Sequence, residues 1–290
     1  MPPVPLVPAE LRDDVFLGSV AVGERMLSRR QLAGPTWRRL FHDVHVHRDV
    51  EVTHELRARG AVLLHPSGVL TGVSAAVLWG VDLARPEDDV ELTLAPGTAM
   101  LRMQGLRARR AVVPARDVVR RRGLRVTTPA LTAVRLADHL PREAAVCAVD
   151  QLIGTGTVGL AAVRERAHRA YGPGSARARA VAALADGRAG SPQETRLRLL
   201  VGRSPLPPPV PQFEVHDGGR FVARVDFAWP EQRVALEYDG LWHAEPGQFA
   251  RDRQRLNRLV AAGWRVVFVT AADLHRPAEL VARITAVLAA

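Results

Sequence analysis

The stretch Phe221-Val-Ala-Arg-Val-Asp-Phe-Ala-Trp-Pro-Glu-Gln-Arg-Val-Ala-Leu-Glu-Tyr-Asp-Gly-Leu-Trp-His243 decides how this chain is read. Phe221, Ala223, Val225 and Phe227 alternate with Val222, Arg224, Asp226 and Ala228, while Val234, Leu236 and Tyr238 alternate with Ala235, Glu237 and Asp239. Two is the strand period, so these are two strands of a hairpin turned at Pro230 to Gln232. With the turn centred on Glu231-Gln232, Asp226 falls directly across from Glu237, and Asp239 lies on the same face two residues along. Like charges opposite one another destabilise a sheet, so two carboxylates set together there need compensation. A divalent cation can supply it. Oxygen ligands without cysteine favour magnesium, with manganese as the alternative. Ion pairs with Arg224, Arg233 or Arg251 can supply it too, and the three acids alone leave both readings open.

Working outward, Phe249, Leu256, Leu259 and Val260 form the apolar stripe of a helix ending at Gly263, and Arg251, Arg253, Arg255 and Arg258 occupy its other faces. Trp264 to Thr270 reads as a strand and Pro277 to Leu288 as a last helix. Upstream, Ser191-Pro-Gln-Glu194 opens a helix with Glu194 in its first turn. Residues 191–290 are thus expected to form one α/β domain in the order helix, hairpin, helix, strand, helix.

As an ordered set, Val225-Asp-Phe, Glu237-Tyr-Asp-Gly-Leu-Trp-His243, Arg251-Asp-Arg and Gly263-Trp-Arg-Val-Val267 resemble the very-short-patch-repair (Vsr-like) endonucleases of the PD-(D/E)XK superfamily. The resemblance covers about the last hundred residues. It implies a restriction-endonuclease-like fold and Mg-dependent hydrolysis of DNA phosphodiesters, with Asp226, Glu237 and Glu194 as metal ligands and His243 as a further catalytic group. Asp239 stands where the superfamily usually has lysine, a departure that leaves the water-activating group unassigned. Arg224, Arg251, Arg253 and Arg255 are the expected contacts to the DNA backbone. Trp242 can stack on a base or pack in the core.

In the N-terminal region Ser28-Arg-Arg-Gln-Leu32, the turn Gly34-Pro35-Thr36, Trp37-Arg-Arg-Leu-Phe41 and the alternating Val44 and Val46 read as helix, turn, second helix and strand, the order of a winged helix. Ser74 to Trp79 reads as a helix capped by Ser74, and Val90 to Leu94 as a strand. Between Pro129 and Leu184 apolar positions recur at three and four, which predicts helices near 130–139, 142–153, 160–171 and 177–185. Ser28 to Val46, with Ser74-Ala-Ala-Val-Leu-Trp-Gly80 and Val126-Thr-Thr-Pro-Ala-Leu-Thr132, resemble actinobacterial proteins related to the AbiEi type of antitoxin. That resemblance implies a DNA-binding winged helix with Arg29, Arg30, Arg38 and Arg39 on phosphates, and a cognate toxin or other protein as partner.

The expected organisation is therefore α/β and multi-domain: a winged-helix-like region over 1–80, an α/β then helical connecting domain over 81–190, and the PD-(D/E)XK domain over 191–290. Composition agrees with a polyanion partner. All 40 basic side chains are arginine, against 30 acids, giving a net charge of +10 and a pI of about 11.3. Each cation is then a planar, permanently charged fork suited to phosphate. With 290 residues and 47% hydrophobic composition, disorder is excluded, and the single Cys147 excludes an internal disulfide and a multi-thiolate zinc site. No apolar run approaches a bilayer-spanning length and Met1 to Pro8 lacks the pattern of a signal peptide, so a cytoplasmic protein is expected, with no role at a membrane.

Three other motifs are set aside. Gly154-Thr-Gly156-Thr-Val-Gly159 matches the dinucleotide fingerprint in letters but follows a helix rather than a strand. Gly72-Val-Ser74-Ala-Ala76 lacks the second glycine of a nucleophile elbow. Among His42, His45 and His47, the last two share a strand face with no acid expected on it, and all three are expected as solvated residues of the wing.

Overall fold

The computed structural model describes residues 7–99, 102–239 and 248–290, without the side chains of 248–252. These residues form a mixed α/β protein with three sheets and a helical middle region. The chain divides into two compact units: residues 1–139 with 157–178, and residues 140–156 with 179–290. The stretch 191–290 falls wholly within the second.

The first unit begins with β1 (Phe16–Leu17), α1 (Gly18–Gly23), α2 (Arg29–Leu32), β2 (Trp37–Phe41) and β3 (Val44–His47), whose strands form a three-stranded sheet in the order β1-β3-β2. Trp37 to Phe41, expected as a helix, is a strand. The register slips between Arg39 and Phe41, so Leu40 is an extra residue and the strand bulges there. The bulge sends Trp37 and Phe41 into different clusters, Trp37 with Phe16, Ala21 and Leu27, and Phe41 with Val44. Arg38 and Arg39 stay exposed between them. His45 and His47 are not solvated as expected: His45 stacks on Phe16 at 6.0 Å and His47 meets Trp37 edge-on at 5.6 Å.

Next come α3 (His54–Leu64), β4 (Val69–Leu70), α4 (Gly72–Leu78), β5 (Val90–Leu94), β6 (Leu106–Arg110), β7 (Val118–Arg121), β8 (Leu124–Thr127) and α5 (Pro129–His139). The five strands line up as β6-β5-β4-β8-β7, and β5 is buried at all five positions. Leu70, Leu92 and Val126 of this sheet pack with Ala75 and Leu78 of α4. Ser74 does not cap α4; the helix starts two residues earlier, behind Thr71, and Ser74 lies buried within it. It is Gly72 that decides the start. Its φ is +54°, and a Cβ there would lie 1.9 Å from Glu91 Oε2, so only glycine lets the Glu91 carboxylate reach the Val73 N–H at 2.9 Å.

The helical middle region comprises α6 (Arg142–Gly154), α7 (Leu160–His168) and α8 (Ser175–Leu184), at the predicted places. Gly154 to Gly159 joins α6 to α7, with Gly159 capping the latter and no strand before it. Helix α6 belongs to the second unit and α7 to the first, and α8 begins in the first and ends in the second.

The second unit continues with α9 (Pro192–Val201), β9 (Val210–Asp217), β10 (Arg220–Trp229), β11 (Val234–Tyr238), α10 (Gln248–Ala261), β12 (Arg265–Val269), α11 (Ala271–Leu274) and α12 (Pro277–Ala289). The sheet order is β12-β11-β10-β9, with β11 and β12 parallel and the rest antiparallel. Strand β9 has no counterpart among the expected elements. Pro211 sits inside it, and an edge strand tolerates proline because one side of its backbone needs no partner. Phe227, Trp229, Val234 and Leu236 pack against Leu197 and Val201 of α9 and Leu280 and Ile284 of α12, whereas Ala228 and Ala235 pack with Leu259 of α10. The sheet is thereby covered on both faces, as a parallel β11-β12 pair requires. Among the described residues no helix is long and apolar enough to cross a membrane.

Candidate functional site

The β10–β11 hairpin pairs Phe227 with Leu236, Ala228 with Ala235 and Trp229 with Val234. One further step in that register sets Asp226 opposite Glu237, as the turn position predicts. Asp226 Oδ2 accepts the Tyr238 N–H at 2.9 Å. Glu237 is buried, and both of its oxygens are taken by the Arg255 guanidinium of α10 in a fork of two 2.7 Å bonds. Arg255 also donates to the Arg224 carbonyl at 2.9 Å, which fixes α10 to β10. The compensation for Glu237 among the described residues is thus an arginine, Arg255, which the hairpin sequence did not single out; the side chain of Arg251 lies outside the described residues.

Glu194 arrives from α9. Ser191 caps that helix, its Oγ accepting the Glu194 N–H at 3.2 Å, and Pro192 supplies a preset first turn. The Glu194 carboxylate accepts from the Gly190 N–H at 2.8 Å and from Gln212 Nε2 at 3.2 Å. Burial raises its pKa above the ordinary carboxylate value, and the nearby charge of Asp226 raises it further. Asp226 is also raised, by burial, against the opposing pull of the Tyr238 N–H, Arg255 and Arg224. The acids whose charges meet are therefore Glu194 and Asp226. Such a pair gains by taking up a proton or a cation. Among the described residues no group of three or more His, Cys, Asp or Glu side chains is placed to hold a metal ion. A magnesium ion needs only one or two protein carboxylates, so Glu194 and Asp226 are the residues that could hold one.

Other expected site residues are placed as follows. Asp239 is exposed just beyond β11, its N–H donating to the Val269 carbonyl at 2.8 Å. Arg224 and Arg253 are exposed. His243 and Trp242, and the side chain of Arg251, lie outside the described residues. In the first unit Arg29 and Arg30 are exposed on α2 and Arg38 and Arg39 on β2, and Arg38 donates to the Arg48 carbonyl at 3.2 Å.

Two polar networks were not anticipated. In the first unit Ser74 Oγ shares a 2.8 Å hydrogen bond with His54 Nε2 and accepts the Glu91 N–H at 2.8 Å. Burial lowers the His54 pKa, which keeps the ring neutral. In the second unit Asp150 of α6 is wholly buried. It accepts the N–H groups of Asp186 and Gly187 at 2.9 and 3.1 Å, the Thr195 hydroxyl at 2.9 Å and Arg198 at 2.7 Å. This lock holds the segment leading to Gly190, and through it the Gly190 N–H on Glu194. The signal in the sequence is an acid inside the otherwise apolar run Ala144 to Ile153, save for Gln151.

Residues 67–184 match the model of the AbiEi antitoxin C-terminal domain. The protein MT2308 of Mycobacterium tuberculosis CDC 1551 is 35% identical over 219 residues, covering 73% of this chain and 78% of the relative, and the protein Rv2248 of strain H37Rv matches with the same figures. The crystal structure of the RV2827C protein from Mycobacterium tuberculosis aligns with 71% of this chain and 82% of its own at 18% identity and a TM-score of 0.41. With 35% identity over 219 aligned residues that span most of both chains, this protein belongs to the family of MT2308 and Rv2248 and carries at its centre a segment similar to the AbiEi antitoxin C-terminal domain.

Proposed function

We propose that this chain is a DNA-binding regulator of the AbiEi antitoxin type. The observation that carries the proposal is the match of residues 67–184 to the AbiEi antitoxin C-terminal domain. The exposed Arg29, Arg30, Arg38 and Arg39 supply forks for phosphates, and the excess of ten positive charges draws in a polyanion. In this reading residues 1–80 act as a winged-helix-like contact to DNA in the cytoplasm, and a cognate toxin is the protein partner. The test is a mobility-shift titration on the DNA upstream of its own gene against random duplex, at several salt concentrations. Replacing the four arginines by alanine should weaken binding on both duplexes and flatten the salt slope by about one for each phosphate that is no longer neutralised. An unchanged slope would remove these residues from the interface.

A second reading is favoured by the meeting of Glu194 and Asp226, two half-buried acids with raised pKa values. It makes residues 191–290 a PD-(D/E)XK-type, Mg-dependent DNA endonuclease. Glu194, Asp226 and Glu237 would hold the ion, and the chemistry it would supply is Lewis-acid assistance to phosphodiester hydrolysis. His243 and Asp239 would serve proton transfer, and Arg224, Arg251 and Arg253 would hold the backbone. Plasmid nicking with magnesium, manganese or EDTA, compared with Asp226→Ala, separates the readings. Metal-dependent nicking lost in the variant supports the enzyme; binding without nicking in every condition leaves the regulator.

A further inference from the structure

Helix α9 has a second working face. Gln193, Arg196, Leu200 and, just past the helix end, Arg203 follow one another at three, four and three residues, the spacing of one helical stripe. They wall a cavity of about 960 Å³ within the second unit. Leu274, Val281 and Tyr238 complete its lining. The volume lies in the upper part of the range of small-molecule sites, roughly 300–1,000 Å³.

The rim is polar and unevenly charged. Glu143 is shared between Arg196 at 3.7 Å and Arg203 at 3.6 Å, so one carboxylate faces two guanidiniums. The three side chains are 41–57% exposed, and pairs so long and so wet contribute little. An incoming anion can therefore replace Glu143 on the arginines at small cost. Apolar walls with a double guanidinium at one end fit a molecule that is greasy along its length and acidic at its tip. Phosphate-rich polymers do not suit such walls.

We propose that this cavity binds a small organic acid, an aromatic or aliphatic body bearing one anionic group, with the acid seated on Arg196 and Arg203. The cavity is distinct from the acidic site but shares two elements with it. Tyr238 lines the cavity and its N–H holds Asp226, and α9 carries both cavity residues and Glu194. A bound acid would thus act on the geometry of Glu194 and Asp226 through Tyr238 and α9. The proposal goes beyond either reading of the acidic site and depends on neither.

The test uses the full chain and two fluorescent probes, 8-anilinonaphthalene-1-sulfonate and its uncharged analogue N-phenyl-1-naphthylamine. The sulfonate should bind at least about tenfold more tightly, the gain of one charge-assisted contact. Arg196→Ala with Arg203→Ala should weaken the sulfonate by about tenfold or more and leave the amine unchanged. Ala278→Trp, at an exposed wall position, should weaken both probes, and decides the matter on its own if the double variant does not fold. Glu143→Gln should strengthen the sulfonate. Equal affinity for the two probes, or sulfonate binding indifferent to Ala278→Trp, would overturn the proposal.

Discussion

Replacing Asp150 by alanine should destabilise the second unit more than any other single truncation near the acidic site. Its two oxygens serve four donors, the N–H groups of Asp186 and Gly187, the Thr195 hydroxyl and the Arg198 guanidinium. In the variant Arg198, only 19% exposed, keeps its bond to the Leu184 carbonyl at 2.9 Å and a long contact to Asp186 at 3.8 Å. Breaking a buried ion pair by removing one partner costs about 3–5 kcal/mol. The two N–H groups and the hydroxyl belong to the same network, so their loss falls inside that range and is not added to it. For a unit of this size 1 kcal/mol is roughly 3–5 °C, so calorimetry should show its transition falling by about 10–25 °C. Asp150→Asn keeps the shape and one acceptor oxygen, and should lose about half as much. A fall below about 3 °C for the alanine variant would refute the network as a source of stability. An equal fall in the transition of the first unit would refute its assignment to the second.

Three more outcomes are expected. The folded pKa values of Glu194 and Asp226 are raised, so the protonated forms favour the fold: their contribution is fully present below the ordinary carboxylate pKa and is lost as pH rises through the folded values. Asp226→Asn should accordingly raise Tm at pH 7.5 and give no gain near pH 3.5; thermal melts at the two pH values would expose an error if the gain were equal at both. Gly72→Ala should destabilise the first unit by more than about 2 kcal/mol, because it adds positive-φ strain to the displacement of Glu91, and unfolding within about 0.5 kcal/mol of the parent would contradict that. Arg255→Met removes the fork from a carboxylate that is 9% exposed and should cost about 1–3 kcal/mol, discounted for the 34% exposure of the arginine. If Glu237 can join a metal site, millimolar magnesium should raise the Tm of this variant more than that of the parent, and equal shifts in a thermal melt would deny it.

The hairpin was legible because its strands alternate without interruption and its turn is short, so the position of Pro230 to Gln232 sets the pairing of Asp226 with Glu237. The helices from Pro129 to Leu184 were legible for the same reason at a different period. Trp37 to Phe41 misled because a bulge at Leu40 leaves large apolar residues four apart, which is also the spacing of one helical turn. Strand β9 was hidden by Pro211, which an edge position tolerates. Ser74 has the chemistry of a cap, and nothing local shows that Glu91, seventeen residues away, occupies the helix start instead. Within the site, the three acids could be named in advance, but which of 40 arginines would clamp Glu237 depends on the docking of α10 and has no local signature.

The interleaving of the two units has a consequence for how this protein can be dismantled or inherited. The chain passes from one unit to the other after residues 139, 156 and 178. No single cut, by protease or by recombination, releases a complete half. A fragment starting at 191 would look like a portable module, yet it would leave Arg198 and Thr195 of α9 without Asp150, and Cys147 Sγ would no longer reach the Pro192 carbonyl at 3.3 Å. A lineage that transplanted this domain would have to carry residues 140–156 along with it, so helix α6 and the acidic site are expected to be gained, lost and exchanged as one piece.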